Sequence, residues 1–360
     1  MKRSGRKGRR HSRRAAPPRQ PGSVNAAVSK SALRPEDVLR CDNSALARWG
    51  VCDAEWYLER HPNVRRELTD RTAQGVLRFY LAHGQRLGHS PNIYFDEPWY
   101  LETHKDASDR VRAGAFRSGF DHYCGVGHAT LAPHWLFDDA LYKALNADVA
   151  GANLPSAGFL NRYDHFLRIG SSENRPPHIL FDPHFYRAHM PGADLDGAGP
   201  FAHFLRRIHE GDEAQTAIYF DPEWYRATYV EVDAAIREGR WLSALHHYLC
   251  TDSPADFDPL CQFSEHFYRQ DNPDLQPALA AGTLRSGYQH FLSHGVLELR
   301  APTPLIDLRQ YRLGAASARH GAGEGSPRDL FARFLEARRR DPPSGSAVTE
   351  EQARALYELR

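Results

Sequence analysis

Apolar residues recur along this chain in two short patterns that both have helical spacing. In the first, typified by FDPEWYRATY, an apolar residue such as Phe220 stands five positions before a tyrosine, here Tyr225. In the second, apolar side chains occupy positions i, i+3 and i+4, as do Phe120, Tyr123 and Cys124. This spacing places them on one face of a helix. The chain is therefore predicted to form pairs of amphipathic helices.

The first pattern occurs seven times at nearly constant spacing. Copies one to seven begin at Cys52, Phe95, Phe137, Phe181, Phe220, Phe263 and Ile306. Successive starts are separated by 43, 42, 44, 39, 43 and 43 residues. A fixed period of this length indicates a structural repeat rather than scattered active-site motifs.

Each copy begins with the signals of a helix N-terminus. The residues predicted to cap these helices are Asp53, Asp96, Asp138, Asp182, Asp221, Ser264 and Asp307. The apolar residue before the cap and the fourth helical residue stand in the relation of a hydrophobic staple. The fourth residue is always tyrosine: Tyr57, Tyr100, Tyr142, Tyr186, Tyr225, Tyr268 and Tyr311. These tyrosines are predicted to be structural.

A second helix is expected in each copy, ending in phrases such as DHYCGVG and QHFLSHG. The glycines of this phrase suit a helix C-terminal cap: Gly84, Gly127, Gly170 and Gly295. A helix pair of about 40 residues cannot bury its apolar face alone and must stack on its neighbours. The pattern thus predicts an all-α solenoid of about seven ~43-residue units. Copy seven, with Gln310 where copy five has Trp224, is degenerate, as terminal caps are.

Composition and charge divide the chain further. Residues 1–35 hold eleven Lys or Arg and no acid, so the net charge of +1 leaves −10 for residues 36–360. We expect a disordered basic arm at 1–35, the repeat domain at 36–340, a linker at 341–348 and a C-terminal helix at 349–360. Thr349, with Gln352 three residues later, forms the capping-box pattern of that last helix.

The remaining composition favours a cytoplasmic protein. The first 22 residues lack the apolar core of a secretory signal, and no stretch approaches the length of a membrane span. Five cysteines without CxxC spacing indicate neither a disulfide framework nor a zinc ribbon. Peripheral attachment at the inner face of the membrane stays open.

The two phrases together resemble a known repeat, FDxxWY followed by PDV, HYxxxG, a Gly/Arg-rich turn and a proline before the next FD. Such repeats are similar to those fused to, or encoded beside, bacterial glycosyltransferases of surface-polysaccharide biosynthesis, including the rhamnan-synthesis type. The resemblance covers roughly residues 45–335. The closing Glu-Gly-Arg phrase of the family is only partly kept here. The chain has no room for the transferase domain that often accompanies these repeats.

Histidines at one repeat position are the leading candidate for a binding surface. They are His122, His165, His203, His247 and His290, with Phe79 and Arg333 at the same position in the terminal copies. The position lies about 200° around the helix from the first apolar residue, so it is expected to face away from the stripe. The imidazoles form either a ladder touching an extended glycan or polyanion, or internal contacts to loop carbonyls and neighbouring units. Joint metal binding is rejected because stacked helices are ~8 to 10 Å apart.

Other motifs have both a functional and a structural interpretation. Trp56, Trp99 and Trp224 could stack on sugars, but packing between helices is favoured. The Asp194 to Asp196 and Asp256 to Asp258 pairs resemble the metal-binding acids of sugar transferases, yet no strand precedes them, so polar turns are favoured. GAGEGS from residue 321 lacks the lysine of a P-loop and is interpreted as linker.

Three functions follow from these observations. The first is a non-catalytic scaffold of surface-polysaccharide biosynthesis that binds a glycosyltransferase, another assembly component or the glycan. The second is a glycosyltransferase or a subunit of one. The third is a nucleic-acid-associated repeat protein acting through residues 1–22, whose nine basic residues suit non-specific polyanion contact. No catalytic residue, metal or cofactor is nominated.

Overall fold

The computed structural model of the chain describes residues 52–151, 154–190, 195, 199–317 and 327–340. These residues form helices joined by turns, with two isolated β-bridges and no strand within the described ranges. The predicted all-α class is therefore confirmed. The predicted basic arm, the 341–348 linker, the 349–360 helix, Asp194, Asp196 and the GAGEGS segment lie outside the described residues.

The helices are short and follow the copies in order. Copies one to three contain α1 (Ala54–Arg60), α2 (Pro62–Glu67), α3 (Ala73–Phe79), α4 (Glu97–Thr103), α5 (Lys105–Arg112), α6 (Gly119–Gly125), α7 (Asp139–Leu145), α8 (Ala147–Ala150) and α9 (Arg162–His165). Copies four to seven contain α10 (Pro183–His189), α11 (Gly199–His209), α12 (Pro222–Thr228), α13 (Val230–Arg237), α14 (Ala244–Cys250), α15 (Glu265–Asp271), α16 (Gln276–Ala280), α17 (Gly287–His290), α18 (Leu308–Ser317) and α19 (Pro327–Arg340). Three of them, α3, α9 and α17, continue as π-helical turns over Tyr80–Gly84, Phe166–Gly170 and Phe291–Gly295.

The first helix of every copy starts where its cap residue predicts. All seven cap side chains accept a hydrogen bond from the backbone N–H three residues later, at 2.9 to 3.3 Å. The staple also forms, as in copy two, where the Phe95 and Tyr100 ring centroids are 5.1 Å apart. The tyrosines of copies one to six are fully buried. The cap bonds in all seven copies and the ring contacts in copies two to six anchor the first helices on the core.

One backbone hydrogen bond recurs in the first six copies and joins the start of each copy to its end. The N–H of each cap residue donates to a carbonyl five residues before the next cap, for example Asp53 to Pro91 at 3.1 Å and Ser264 to Pro302 at 3.0 Å. The acceptor is proline in five of the six cases: Pro91, Pro133, Pro177, Pro259 and Pro302. Proline has no N–H but keeps its carbonyl, so it can supply this acceptor without adding a donor that needs a partner.

Contacts also join copies three positions apart. The ring of Trp56, the third residue of α1, lies 5.5 Å from that of His209 at the end of α11. The ring of Phe185, the third residue of α10, lies 5.4 Å from the Arg339 guanidinium in α19, whose Nη2 also donates to Gln215. The same two repeat positions thus meet in copies one and four and in copies four and seven.

Candidate functional site

The predicted histidine position contacts the staple tyrosine of its own copy. Each tyrosine hydroxyl shares a hydrogen bond of 2.8 to 2.9 Å with a histidine Nδ1. The pairs are Tyr100 with His122, Tyr142 with His165, Tyr186 with His203, Tyr225 with His247, and Tyr268 with His290. The second helix is therefore held to the first by a polar bond as well as by its apolar stripe.

The structure places these imidazoles differently from the expected surface row. His122, His165 and His247 are buried, and His203 and His290 are partly buried. The covered face of the second helix is wider than its apolar stripe, because the first helix reaches around to the histidine position. Burial lowers the pKa of all five histidines. Neutral imidazoles in this position suit an internal hydrogen bond.

The phrase glycines have a steric role. They do not lie in the left-handed region, so the prediction that they form C-terminal caps is wrong. A Cβ on Gly127, Gly170 or Gly295 would lie 2.1 to 2.2 Å from the hydroxyl of the staple tyrosine in the same copy. In copy one, a Cβ on Gly84 would lie 2.4 Å from the Tyr57 hydroxyl. The glycine therefore makes the space that the hydroxyl occupies.

Copy one keeps this hydrogen bond by a different route. Phe79 takes the usual histidine position, and His89, ten residues later, bonds the Tyr57 hydroxyl through Nδ1 at 2.7 Å. His89 follows Gly88, whose φ is 72°, and stacks on His61 with 3.7 Å between ring centroids. A tyrosine–imidazole bond thus occurs in six copies, whichever segment supplies the imidazole.

Buried carboxylates cap the second helices. Glu97, one residue after its cap, accepts from the N–H groups of Gly119 and Phe120 at 2.6 and 2.8 Å. Glu265 makes the same pair of bonds in copy six, to Gly287 and Tyr288. Burial raises the pKa of both carboxyls to about 7, and the backbone N–H groups oppose that rise. In copy five Pro222 takes this place and Glu213, from the preceding turn, caps α14 instead.

Sequence reasoning missed the caps of the second helices, although their pattern is visible. The N-cap side chains are those of Thr72, Ser118, Asn161, Ser243 and Ser286. In copy two, Asp121 accepts a hydrogen bond from the N–H of Arg117, the residue before the N-cap, at 2.9 Å. In copy three, Asp164 accepts from the Leu160 N–H in the same way. The signals are S-x-x-D at 118 and N-x-x-D at 161, both capping-box variants.

An arginine network ties the end of a copy to its middle. In copy six, Arg300 donates to Asn272, Asp274 and Glu298 at 2.5 to 3.0 Å. Arg175 repeats these contacts in copy three with Asn146, Asp148 and Glu173. The residue before each arginine has a positive φ, 55° at Leu299 and 56° at Asn174. This is the glycine position of the Glu-Gly-Arg phrase, so the chain keeps the turn where it has lost the glycine.

Buried histidines are a general feature of the described chain. Burial lowers the pKa of seven of them to about 3 or 4: His61, His89, His134, His178, His209, His246 and His247. Within the described ranges, no three His, Cys, Asp or Glu side chains are placed to hold a metal ion.

The other predicted candidates occupy structural positions. Trp56 is buried, and Trp99 packs partly buried against the core. Trp224 is partly exposed beside Tyr229, with 6.3 Å between ring centroids. Asp258 is buried and accepts from the Glu265 N–H at 2.5 Å, while Asp256 ends a 3₁₀ turn.

A shallow surface depression of about 530 Å³ lies on α4 and α5. Its lining includes Glu102, Lys105 and Arg112. These exposed side chains carry charges of both signs, whereas small-molecule sites are lined mostly by apolar side chains.

Comparisons of the chain with protein-family models, characterised proteins and solved structures give no match. Among the described helices, none combines the length and the apolar character needed to cross a bilayer.

Proposed function

We propose that this chain is a non-catalytic helical-repeat binding module, a solenoid of about seven ~43-residue units that serves bacterial surface-polysaccharide biosynthesis. In this role it acts as a scaffold that binds a glycosyltransferase, another assembly component or the glycan itself. The resemblance of the FDxxWY and HYxxxG phrases to repeats associated with such transferases supports this assignment.

The observation that carries the proposal is that the recurring residues are used internally. In copy two, Asp96 caps its helix, Phe95 packs on Tyr100, and the Tyr100 hydroxyl meets His122 beside Gly127. The recurring residues are required by the fold. A partner is therefore bound by the exposed positions, whose residues differ from copy to copy. This division is typical of repeat proteins that bind through an extended surface.

Recurring contacts within and between copies support the solenoid. The bond from a cap N–H to the carbonyl five residues before the next cap occurs in each of the first six copies, so all six have the same path from start to end. The matching contacts of Trp56 with His209 and of Phe185 with Arg339 favour a superhelix with about three copies per turn. A superhelix of this kind presents its outer positions in a repeating order, which suits a polymer or a long partner surface.

Affinity capture of the full-length chain from its native cells tests the function. The captured proteins are identified by mass spectrometry with and without nuclease treatment, and a chain lacking residues 1–22 serves as the matched control. Recovery of polysaccharide-assembly proteins by both chains supports the proposal. Recovery of nuclease-sensitive partners by the full chain alone would replace it with the nucleic-acid function of the basic arm.

A further inference from the structure

Three histidines from different copies meet aromatic rings at the junction of copies one, two, four and five. His209 at the end of α11 faces Trp56 of α1 edge-on. His246 in α14 lies 5.0 Å from Trp135 and 5.5 Å from Trp241, measured between ring centroids. His134 stacks on the neighbouring Trp135 at 5.1 Å. We call His134, His209 and His246 the junction cluster.

The hydrogen bonds of the junction cluster require neutral imidazoles. Nδ1 of His134 accepts from the Leu136 N–H at 3.1 Å, and Nδ1 of His246 accepts from the Leu242 N–H at 3.2 Å. A protonated imidazole carries hydrogen on both nitrogens, so its Nδ1–H would point at a backbone N–H. Nδ1 of His209 is buried and has no hydrogen-bond partner among the described residues. A proton added there would remain unsolvated.

The charged and titratable groups facing the cluster add to this cost. Arg60 of copy one faces His209, His247 faces His246, and the three cluster histidines face one another. Each of these groups is a cation when protonated, and none can neutralise an imidazolium. Burial, followed by these neighbouring charges, lowers the pKa of all three cluster histidines to about 3 or 4.

We propose that protonation of the junction cluster below neutral pH opens the contact between copies one and four while the later copies stay folded. The contact is non-local, since about 150 residues separate Trp56 from His209, and it depends on the ring of His209 entering apolar surroundings. Opening releases α1 from α11 and exposes the Trp56 face. Copy six has no such cluster. Burial raises the pKa of Glu265 in copy six, so protonation of this carboxyl at low pH stabilises the folded state there.

Hydrogen exchange measured by mass spectrometry on the full-length chain tests this switch. Spectra are taken at pH 7.5, 6.0 and 5.0, with labelling times scaled for the intrinsic pH dependence of amide exchange. We expect protection over 54–60 and 199–209 to fall at least tenfold by pH 5.0, while 265–271 and 287–295 keep theirs. Simultaneous loss of protection in all four segments would overturn the proposal, because it would indicate global unfolding alone.

Two variants isolate the cluster from other acid effects. His209→Phe keeps a ring against Trp56 but cannot be protonated, and His246→Asn keeps an acceptor for the Leu242 N–H. Either variant that is folded at pH 7.5 is expected to lower the pH midpoint of opening by at least half a unit. His184→Gln, at an exposed position of α10, is the matched control and should leave the midpoint unchanged. A midpoint that is the same in wild type and both cluster variants, or loss of folding in both at pH 7.5, refutes the switch.

Discussion

Replacing Gly295 by alanine tests the steric basis of the repeated glycine. The added Cβ would lie 2.1 Å from the Tyr268 hydroxyl and 3.2 Å from the Phe291 ring. A carbon and an oxygen in van der Waals contact are separated by about 3.2 Å or more, so the tyrosine or the helix must move by about 1 Å. Such a movement also breaks the 2.9 Å bond between the Tyr268 hydroxyl and His290.

The magnitude follows from these two effects. Overpacking of this kind costs about 1 to 3 kcal/mol, and the lost hydrogen bond adds about 1 kcal/mol. Gly295→Ala should therefore lower the free energy of unfolding by about 2 to 4 kcal/mol. Tyr268→Phe removes the hydroxyl and the bond to His290, at a cost of about 1 kcal/mol. In the double variant the hydroxyl is gone, so the alanine should add less than about 1 kcal/mol to that cost.

The assay is urea denaturation followed by far-UV circular dichroism at pH 7.5, where the lowered pKa keeps His290 neutral. The two single variants, the double variant and wild type form a double-mutant cycle with an expected coupling of about 1 to 4 kcal/mol. Gly151→Ala is the matched control, since its Cβ would meet no atom within 4 Å. Additive effects in the cycle, or an equal loss in the control, would show that the hydroxyl is not what excludes a side chain.

Three further predictions concern the caps and the histidines. Glu265→Gln should lower the free energy of unfolding, measured by urea denaturation, by about 1 to 3 kcal/mol, because the amide NH₂ of glutamine would face a backbone N–H. Glu102→Gln, at an exposed position, is the control and should leave this free energy unchanged. Asp221→Ala should cost about 1 kcal/mol through loss of the α12 cap, and Asp221→Asn should restore most of it; equal losses would contradict the cap. Acid should destabilise copies one to five, which hold the seven histidines whose folded pKa values are lowered to about 3 or 4. The unfolded chain binds protons at a higher pH than the folded chain, so the stability of these copies falls as pH drops from 6.5 toward 4. Proton uptake by the folded carboxyls of Asp96, Glu97 and Glu265, whose pKa values are raised to about 6 to 7, opposes this effect. The histidines outnumber these carboxyls, so the net effect of acid on copies one to five is destabilising. The urea concentration at the midpoint of unfolding should be lower at pH 5.5 than at pH 7. An equal or higher value at pH 5.5 would disprove this prediction.

The part of the fold that could be predicted from the sequence depends on local signals, namely helix caps and hydrophobic staples. A cap residue such as Asp96 and a staple pair such as Phe95 and Tyr100 act within six residues, so their meaning does not depend on distant packing. The period of about 43 residues then extends one copy to all seven. Helix class, helix starts and the burial of the tyrosines follow from these signals alone.

Partners across helices could not be predicted in this way. The position of His122 relative to its own apolar stripe suggests an outward side chain, but the angle at which the first helix crosses brings the Tyr100 hydroxyl to its Nδ1. The sequence pattern suggests that Gly127 is a helix cap. In the structure, a Cβ at this position would lie 2.1 Å from the Tyr100 hydroxyl, so the glycine is required for steric reasons. Copy one shows that the chain can supply the imidazole from either of two segments, which no single-position pattern reveals.

The sequence by itself determined where the first helix of each copy begins and which tyrosine anchors it, because capping and stapling are short-range. Only the tertiary structure decided that the histidines turn inward, that the glycines make room for hydroxyls and that Trp56 meets His209. These contacts depend on crossing angles and on the path of the chain over three copies. Many side chains acting together set such angles, so no local pattern encodes them.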